Sequence, residues 1–458
     1  MRLPLNKHTA ALFVITWPIF IELFLHIATG SIDVFMLSRV SDEAVAAVGV
    51  ANQILYMCII LFGFVSMGTT VVVAQCVGGK RDAKASQVAA TSLTLNLGFG
   101  LLVSLSLIFF DTYILSLFRL DESLLAYGEL YLNIVGGALF IEALLLTAAA
   151  PIRSYGFTRD VMFITLGVNV LNVIGNYLLI FGSFGFPELG VAGAAISTAI
   201  SRCIGLVVMI VMLYKRLPVR IRTADYWLLR LNNIRSIVRI GIPAAGEHLS
   251  WQTSQMVILG FIALLGTAAI TTHIYTFQLL LFIMLFAIAV GQGTEIVIGQ
   301  MIGAGQKEEA YHRMFDSLKW SLVITALMVV LFILLREPLY DLFTDDRNII
   351  AAGATLLLIT IILEPGRTFN LVIINALRAT GDAKFPVVMG VLSMWGISVP
   401  LAYLFGITMG WGLIGIYLAF VIDEWLRGLL MLMRWRSRVW QKQSMSIEKK
   451  PDQVPEGT

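Results

Sequence analysis

The chain has 458 residues, of which 58% are hydrophobic and 13% charged, against about half apolar and a quarter charged in an ordinary soluble domain; water is not its main solvent. Apolar runs of about 20 residues recur from end to end, each long enough to cross a hydrocarbon core about 30 Å thick, which excludes a string of soluble domains and leaves a membrane bundle. The formal charge of +3 hides a polarity: Lys and Arg cluster in alternate loops rather than in a basic patch, so membrane lipids are expected as partners and nucleic acid is not.

Basic residues flank the first apolar run, which lacks a small-residue cleavage site after a short hydrophobic core and reads as a retained first helix. Breaks at charged and Gly/Pro clusters then predict twelve helices, near 11–38, 46–76, 88–110, 128–151, 161–181, 191–214, 239–263, 269–300, 318–335, 350–376, 386–406 and 412–433. The N-terminus, the connections at 77–87, 152–160, 215–238, 301–317 and 377–385, and the tail from Arg434 hold roughly 25 of the 32 basic residues. The opposite side has Arg39, Arg119, Arg336 and Arg347, so the positive-inside rule predicts an inner (plasma) membrane protein with both termini cytoplasmic. The connection from Lys215 to Arg239 carries seven Lys/Arg and marks the link between halves. The expected layout is an N-terminal lobe over 1–214, a cytoplasmic linker over 215–238, a C-terminal lobe over 239–433 and a polar, partly disordered tail over 434–458. Cys58, Cys76 and Cys203 have no CxxC pair and no His at metal spacing, so they read as small core residues and no metal is expected.

Sliding the second half against the first by 225 residues pairs Pro18 with Pro243, Glu22 with Glu247, Gln53 with Gln278, Gly68-Thr69 with Gly293-Thr294, Gln75 with Gln300, Gly78 with Gly303, Arg153 with Arg378 and Gly156 with Gly381. One ungapped register that matches rare polar residues in apolar surroundings implies two lobes of one shape. Six helices is an even number, so both lobes start on the same side and are related by a pseudo-two-fold axis along the membrane normal. The expected fold is therefore all-α, twelve transmembrane helices in two six-helix lobes around a central cleft.

Within this apolar chain the polar side chains stand out. Glu22, His26, Thr29 and Asp33 fall at i, i+4, i+7 and i+11 on the first helix, and Glu22 and Asp33 differ by about 20° around its axis. Such a stripe is costly against lipid and should line a water-filled cavity or polar cluster; burial there suits a carboxylate that loads and unloads a proton. Asp33 alternatively sits solvated near Arg39, and His26 is either a titrating group or a hydrogen-bonded packing residue. Asn169, Asn172 and Asn176 form a second stripe, on the fifth helix, expected to face the first; these amides either ligate a cation or hold helices together. In the second half the first stripe becomes Glu247, Trp251, Ser254 and Ile258. Glu364-Pro365-Gly366-Arg367 reads as a bending point with its own charge pair, Arg367 either neutralising Glu364 or Glu247 in a structural salt bridge or varying its partner as the lobe moves. Glu142, which the offset pairs with Arg367, and Glu295, Gln53 and Gln278 are further candidates.

These residues sit in stretches that together resemble the multidrug and toxic compound extrusion (MATE) family over nearly the whole chain: IDVFMLSRV, AQCVGGKRDAKA, NVLNVIGNYLLIFG, GVAGAAIST, GQMIGAGQKEEA and NALRATGDAKFP. The resemblance implies a V-shaped pair of lobes that expels amphipathic, often cationic organic compounds in exchange for H⁺ or Na⁺, with no other cofactor, by alternating access. It matches Asp33 to the family's coupling acid and Asn172 to the asparagine beside it. Asn176 stands where some members carry an aspartate, and Trp251 and Arg367 stand where sodium-coupled members carry acids. The acids Glu247 and Glu364 lie about one turn earlier, so they are either displaced coupling groups or serve substrate and gating.

Small organic substrates and a monomeric antiporter are thus expected. A flippase for lipid-linked precursors is the alternative; it would want a strongly cationic cleft, whereas only Arg202, Arg367 and Arg427 lie within the predicted helices away from their ends. The absence of GxGxxG, Walker, HExxH and nucleophile-elbow patterns argues against an enzyme.

Overall fold

The computed structural model describes residues 8–116, 118 and 122–443; Arg119 and the tail beyond Gln443 lie outside the described residues. The first half consists of α1 (His8–Leu37), α2 (Asp42–Gly78), α3 (Asp82–Phe109), α4 (Glu122–Tyr131, a π turn over Leu132–Gly136, then Leu139–Ser154), α5 (Thr158–Ile180) and α6 (Val191–Arg216). The second consists of α7 (Leu231–Ala263), α8 (Thr267–Gly303), α9 (Lys307–Leu334), α10 (Arg347–Thr380), α11 (Lys384–Thr408, with π turns over Met394–Ser398 and Leu404–Thr408) and α12 (Gly412–Arg436). Among the described residues, nine helices are long and apolar enough to cross a membrane, or ten with α4 counted as one bent span. Two more, α7 and α12, have 33 and 25 residues but carry polar middles, with Glu247, His248, Gln252 and Gln255 on α7 and Asp423, Glu424 and Arg427 on α12.

The helix ends follow from local chemistry. Ser41 accepts a hydrogen bond from the Ala44 amide at the start of α2, with Asp42 and Glu43 in the first turn, and Asp346 caps α10 through the Asn348 amide. Gly156 after α4 and Gly381 after α10 both adopt positive φ, 87° and 93°, the left-handed turn that ends a helix without a Cβ penalty. The 225-residue repeat thus includes a repeated helix stop. Several helices start earlier than their apolar runs suggest, most of all α7 at Leu231 and α9 at Lys307. Their first turns are polar, and a helix continues past the hydrocarbon wherever backbone hydrogen bonding is undisturbed.

Both lobes are built alike, and the pseudo-two-fold relation extends to how they meet. A Cβ on Gly68 of α2 would strike the Ile237 carbonyl of α7, and one on Gly293 of α8 would strike Thr16 of α1. Phe20 of α1 stacks on Phe286 of α8 with centroids 4.0 Å apart. At the helix ends Gly78 lies against the backbone of Gln300, and Gly303 against that of Gln75. These contacts lie in the C-terminal halves of α2 and α8, toward the basic connections. Toward the opposite ends, Gln53 and Tyr56 of α2 and Ile274 of α8 are exposed.

Candidate functional site

Side chains from α1, α2, α4, α5 and α6 surround a cavity of about 600 Å³ in the first lobe, to which α8 adds Gln292. Glu22, His26, Thr29 and Asp33 all line it, as one face of α1 must when its members are about four residues apart. Asn169 and Asn172 line it from α5, and Gln53 and Glu142 from α2 and α4. Between these polar groups stand Leu23, Ile59, Leu145, Leu146 and Met209, so the wall is amphipathic.

The acids in this wall differ in how they are compensated. Glu22 is ion-paired with Arg153 of α4 and lies 3.5 Å from the Thr165 hydroxyl. Glu142 is ion-paired with Arg202 of α6 at 3.3 Å. Asp33 has no ion pair among the described residues and instead accepts a hydrogen bond of 2.6 Å from the Asn176 amide. The α5 stripe thus reaches the α1 stripe through its last member. Asn172 donates to the Thr198 hydroxyl at 3.1 Å, while its Oδ1 and the Nδ2 of Asn169 are buried without a protein partner. Few buried amide atoms in folded proteins go unpartnered.

In the second lobe the corresponding region is filled by charge. Arg367 binds Glu364 at 2.6 Å and Glu424 of α12 at 3.3 Å, and Arg427 binds Asp423 at 2.8 Å and Glu424 at 3.2 Å. Glu424 also accepts from Asn370 at 2.9 Å, and Asp423 from the Ser393 hydroxyl at 2.5 Å. Three carboxylates and two guanidiniums are thus held beside a void of about 10 Å³ that Trp251 and Ser254 help line. The two choices left open for Arg367 resolve to Glu364, because Glu247 is taken by Arg378 at 2.6 Å. Glu295 is buried on α8 with one oxygen unpartnered. Gln278 lines neither cavity, and Ile258 belongs to the apolar core.

Glu22–Arg153 and Glu247–Arg378 occupy the same positions in the two lobes, so the repeat is a repeat of ion pairs. The pair Glu142–Arg202 corresponds by the same offset to Arg367 and Arg427. An acid has become a base there, and Glu424 is inserted between the two arginines to compensate. Charge clustering in the sequence puts Arg153 and Arg378 in cytoplasmic connections; they lie instead in the last turns of α4 and α10 and reach into their lobes. Sequence reasoning also passed over Asp423 and Glu424. The signal was present in IDEWLR, whose acids stand three and four residues from an arginine inside an apolar run.

Comparison with known proteins places this geometry among relatives. The MatE family model matches residues 18–178 and 243–404, two stretches whose starts reproduce the 225-residue offset. The chain is 47% identical over 446 residues to the uncharacterized transporter YisQ of Bacillus subtilis (strain 168), covering 97% of this chain and 98% of that one. It is 26% identical over 429 residues to the probable multidrug resistance protein NorM of Thermotoga maritima, with 93% and 91% covered. In fold it is similar to a crystal structure of MATE in the bent conformation, with a TM-score of 0.89, 18% identity and 96% and 97% of the chains covered. It is similar too to a multidrug resistance MATE family transporter in the outward-facing conformation, with a TM-score of 0.85, 19% identity and 95% and 96% covered.

Proposed function

The chain belongs to the MatE family of membrane transporters, and from that premise we propose that it is a cation-coupled antiporter that exports amphipathic, often cationic organic compounds by alternating access. The observation that carries this reading is Asp33: a carboxylate in the wall of a large amphipathic cavity, held by one amide hydrogen bond and, among the described residues, by no ion pair, with Arg202 acting only at longer range. A carboxylate so placed is the group on which H⁺ or Na⁺ binding changes the local charge most, whereas the charges of Glu22 and Glu142 are already matched by Arg153 and Arg202. Coupling needs only that the ion and the cargo favour different arrangements of the lobes, since a ligand shifts such an equilibrium solely through its differential affinity for the two states.

The basic connections mark the cytoplasmic side, in the inner membrane with both termini inside. Because the lobes meet at that side, this arrangement is the outward-open one. An apolar wall with a few polar anchors suits amphipathic organic molecules. Pyrophosphate-bearing lipid cargo fits less well, because both arginines of the cavity are neutralised by glutamates. The second lobe, with its charges locked in a network, serves gating in this scheme, and the transporter works as a monomer.

The test is efflux of one dye-like cation from proteoliposomes with ΔpH and ΔpNa imposed separately. One gradient alone should drive transport by the wild-type protein, and Asp33→Asn should abolish the driven component while the protein stays folded. Full gradient-driven transport by Asp33→Asn would overturn the assignment.

A further inference from the structure

At the cytoplasmic ends two glutamine side chains hydrogen-bond across the interface between the lobes. The Gln75 side-chain amide, in the last turn of α2, donates to the carbonyl of Ala379 at the end of α10, 2.7 Å away. The Gln300 amide, in the last turn of α8, donates to the carbonyl of Ser154 at the end of α4, also at 2.7 Å. Donors and acceptors are each 225 residues apart, so the pair obeys the pseudo-two-fold relation.

The acceptors explain why the bonds matter. The last four carbonyls of a helix have no partner within it. Around the α4 terminus, the amides of Tyr155, Gly156 and Phe157 bond the carbonyls of Pro151, Arg153 and Ile152 and pass over Ser154. Around the α10 terminus, those of Gly381 and Asp382 bond Arg378 and Leu377 and pass over Ala379. Each skipped carbonyl is satisfied by the other lobe. Gln75 and Gln300 are 1% and 7% exposed, too buried for water to substitute easily while the lobes touch.

We propose that Gln75 and Gln300 are positioning residues of the transport cycle, forming a reciprocal latch in which each lobe caps a helix of the other and thereby holds the cytoplasmic side closed. Gly78 and Gly303 make the latch possible, because at either position a Cβ would run into the backbone of the opposing glutamine. Opening to the cytoplasm breaks both bonds together and hands the two carbonyls to water. The symmetry makes the two contributions equal. Each bond should favour the closed cytoplasmic side by about fivefold, the effect of a typical net hydrogen bond. Together they should contribute about 25-fold, a substantial part of what switches a two-state equilibrium. This inference rests on the alternating-access reading, but it concerns which side the lobes close on, not the coupling ion.

The experiment is double electron–electron resonance on full-length protein in lipid nanodiscs, with Cys58, Cys76 and Cys203 replaced. Spin labels go on Ala83→Cys and Glu309→Cys for the cytoplasmic side, and on Ser183→Cys and Asp345→Cys for the outer side. Gln75→Ala and Gln300→Ala should each shift the cytoplasmic pair toward long distances by about fivefold in population, equally within error, with the outer pair shortening in step. Thr355→Ala, at an exposed position of α10 whose hydroxyl bonds the Ala351 carbonyl of the same helix, should leave both distributions unchanged. Should the glutamine variants fold poorly, Gly78→Ala and Gly303→Ala supply the same test by wedging the interface, and they should shift the populations in the same direction. Unchanged distributions in folded glutamine or glycine variants, or an equal shift in Thr355→Ala, would overturn the latch. Because no gradient or cargo is present, that result would leave the Asp33 transport test untouched, and failure of Asp33→Asn to alter transport would leave the latch untouched.

Discussion

The repeated ion pairs make a quantitative prediction, because the same two residues sit in different surroundings in the two lobes. Glu247 and Arg378 have side chains 10% and 7% exposed and approach to 2.6 Å, whereas Glu22 and Arg153 are 16% and 18% exposed in the wall of a cavity of about 600 Å³. Replacing Glu247 by Gln strands the buried Arg378 guanidinium, and removing one member of a buried pair costs about 3–5 kcal/mol. Glu22→Gln strands Arg153 beside a space that water can fill, so the loss falls toward a single charged hydrogen bond, about 1–2 kcal/mol. The measurement is a double-mutant cycle in each lobe, Glu247→Gln with Arg378→Gln and Glu22→Gln with Arg153→Gln, by equilibrium unfolding in mixed micelles. The coupling energy should be at least twice as large in the second lobe, and each double variant should recover part of the single-variant loss. Equal couplings, or none in the second lobe, would refute the argument that cavity water separates the two pairs.

Two other substitutions test the packing around the site. Glu424→Gln removes the carboxylate that bridges Arg367 and Arg427 and leaves Glu364 and Asp423 to hold one guanidinium each, so it should destabilise the second lobe by about 3–5 kcal/mol; thermal unfolding with and without high salt would check this, and salt should restore little because the cluster is buried. Gly353→Val would drive a branched side chain into the Tyr340 ring, which is fully buried and hydrogen-bonded to Thr276 at 2.6 Å, and overpacking of this kind costs about 1–3 kcal/mol; a variant with unchanged unfolding temperature would contradict it.

Much of the fold could be read before any coordinates. Apolar runs located the helices because bilayer thickness dictates their length, and the constant offset located the lobes because homologous halves keep the spacing of helix stops such as Gly156 and Gly381. The α1 stripe was legible for the same kind of reason, since helical periodicity puts Glu22, His26, Thr29 and Asp33 on one face whatever surrounds it. Compensation was not legible. Arg153 reaches Glu22 across 131 positions, and Arg378 reaches Glu247 across the same separation, distances over which no periodicity within one helix carries information.

Sequence by itself therefore determined the solvent of this protein, its helices, its two-fold repeat and which polar side chains share a face, because those depend on local periodicity and on the cost of polarity in lipid. Tertiary structure alone decided which acids are neutralised, that Asp33 is left to an asparagine while Glu22 is given an arginine, and that glutamines from each lobe finish helices of the other. The physical reason is that charge compensation and hydrogen-bond completion are pairwise properties of groups on different helices, and only packing brings those groups within reach of one another.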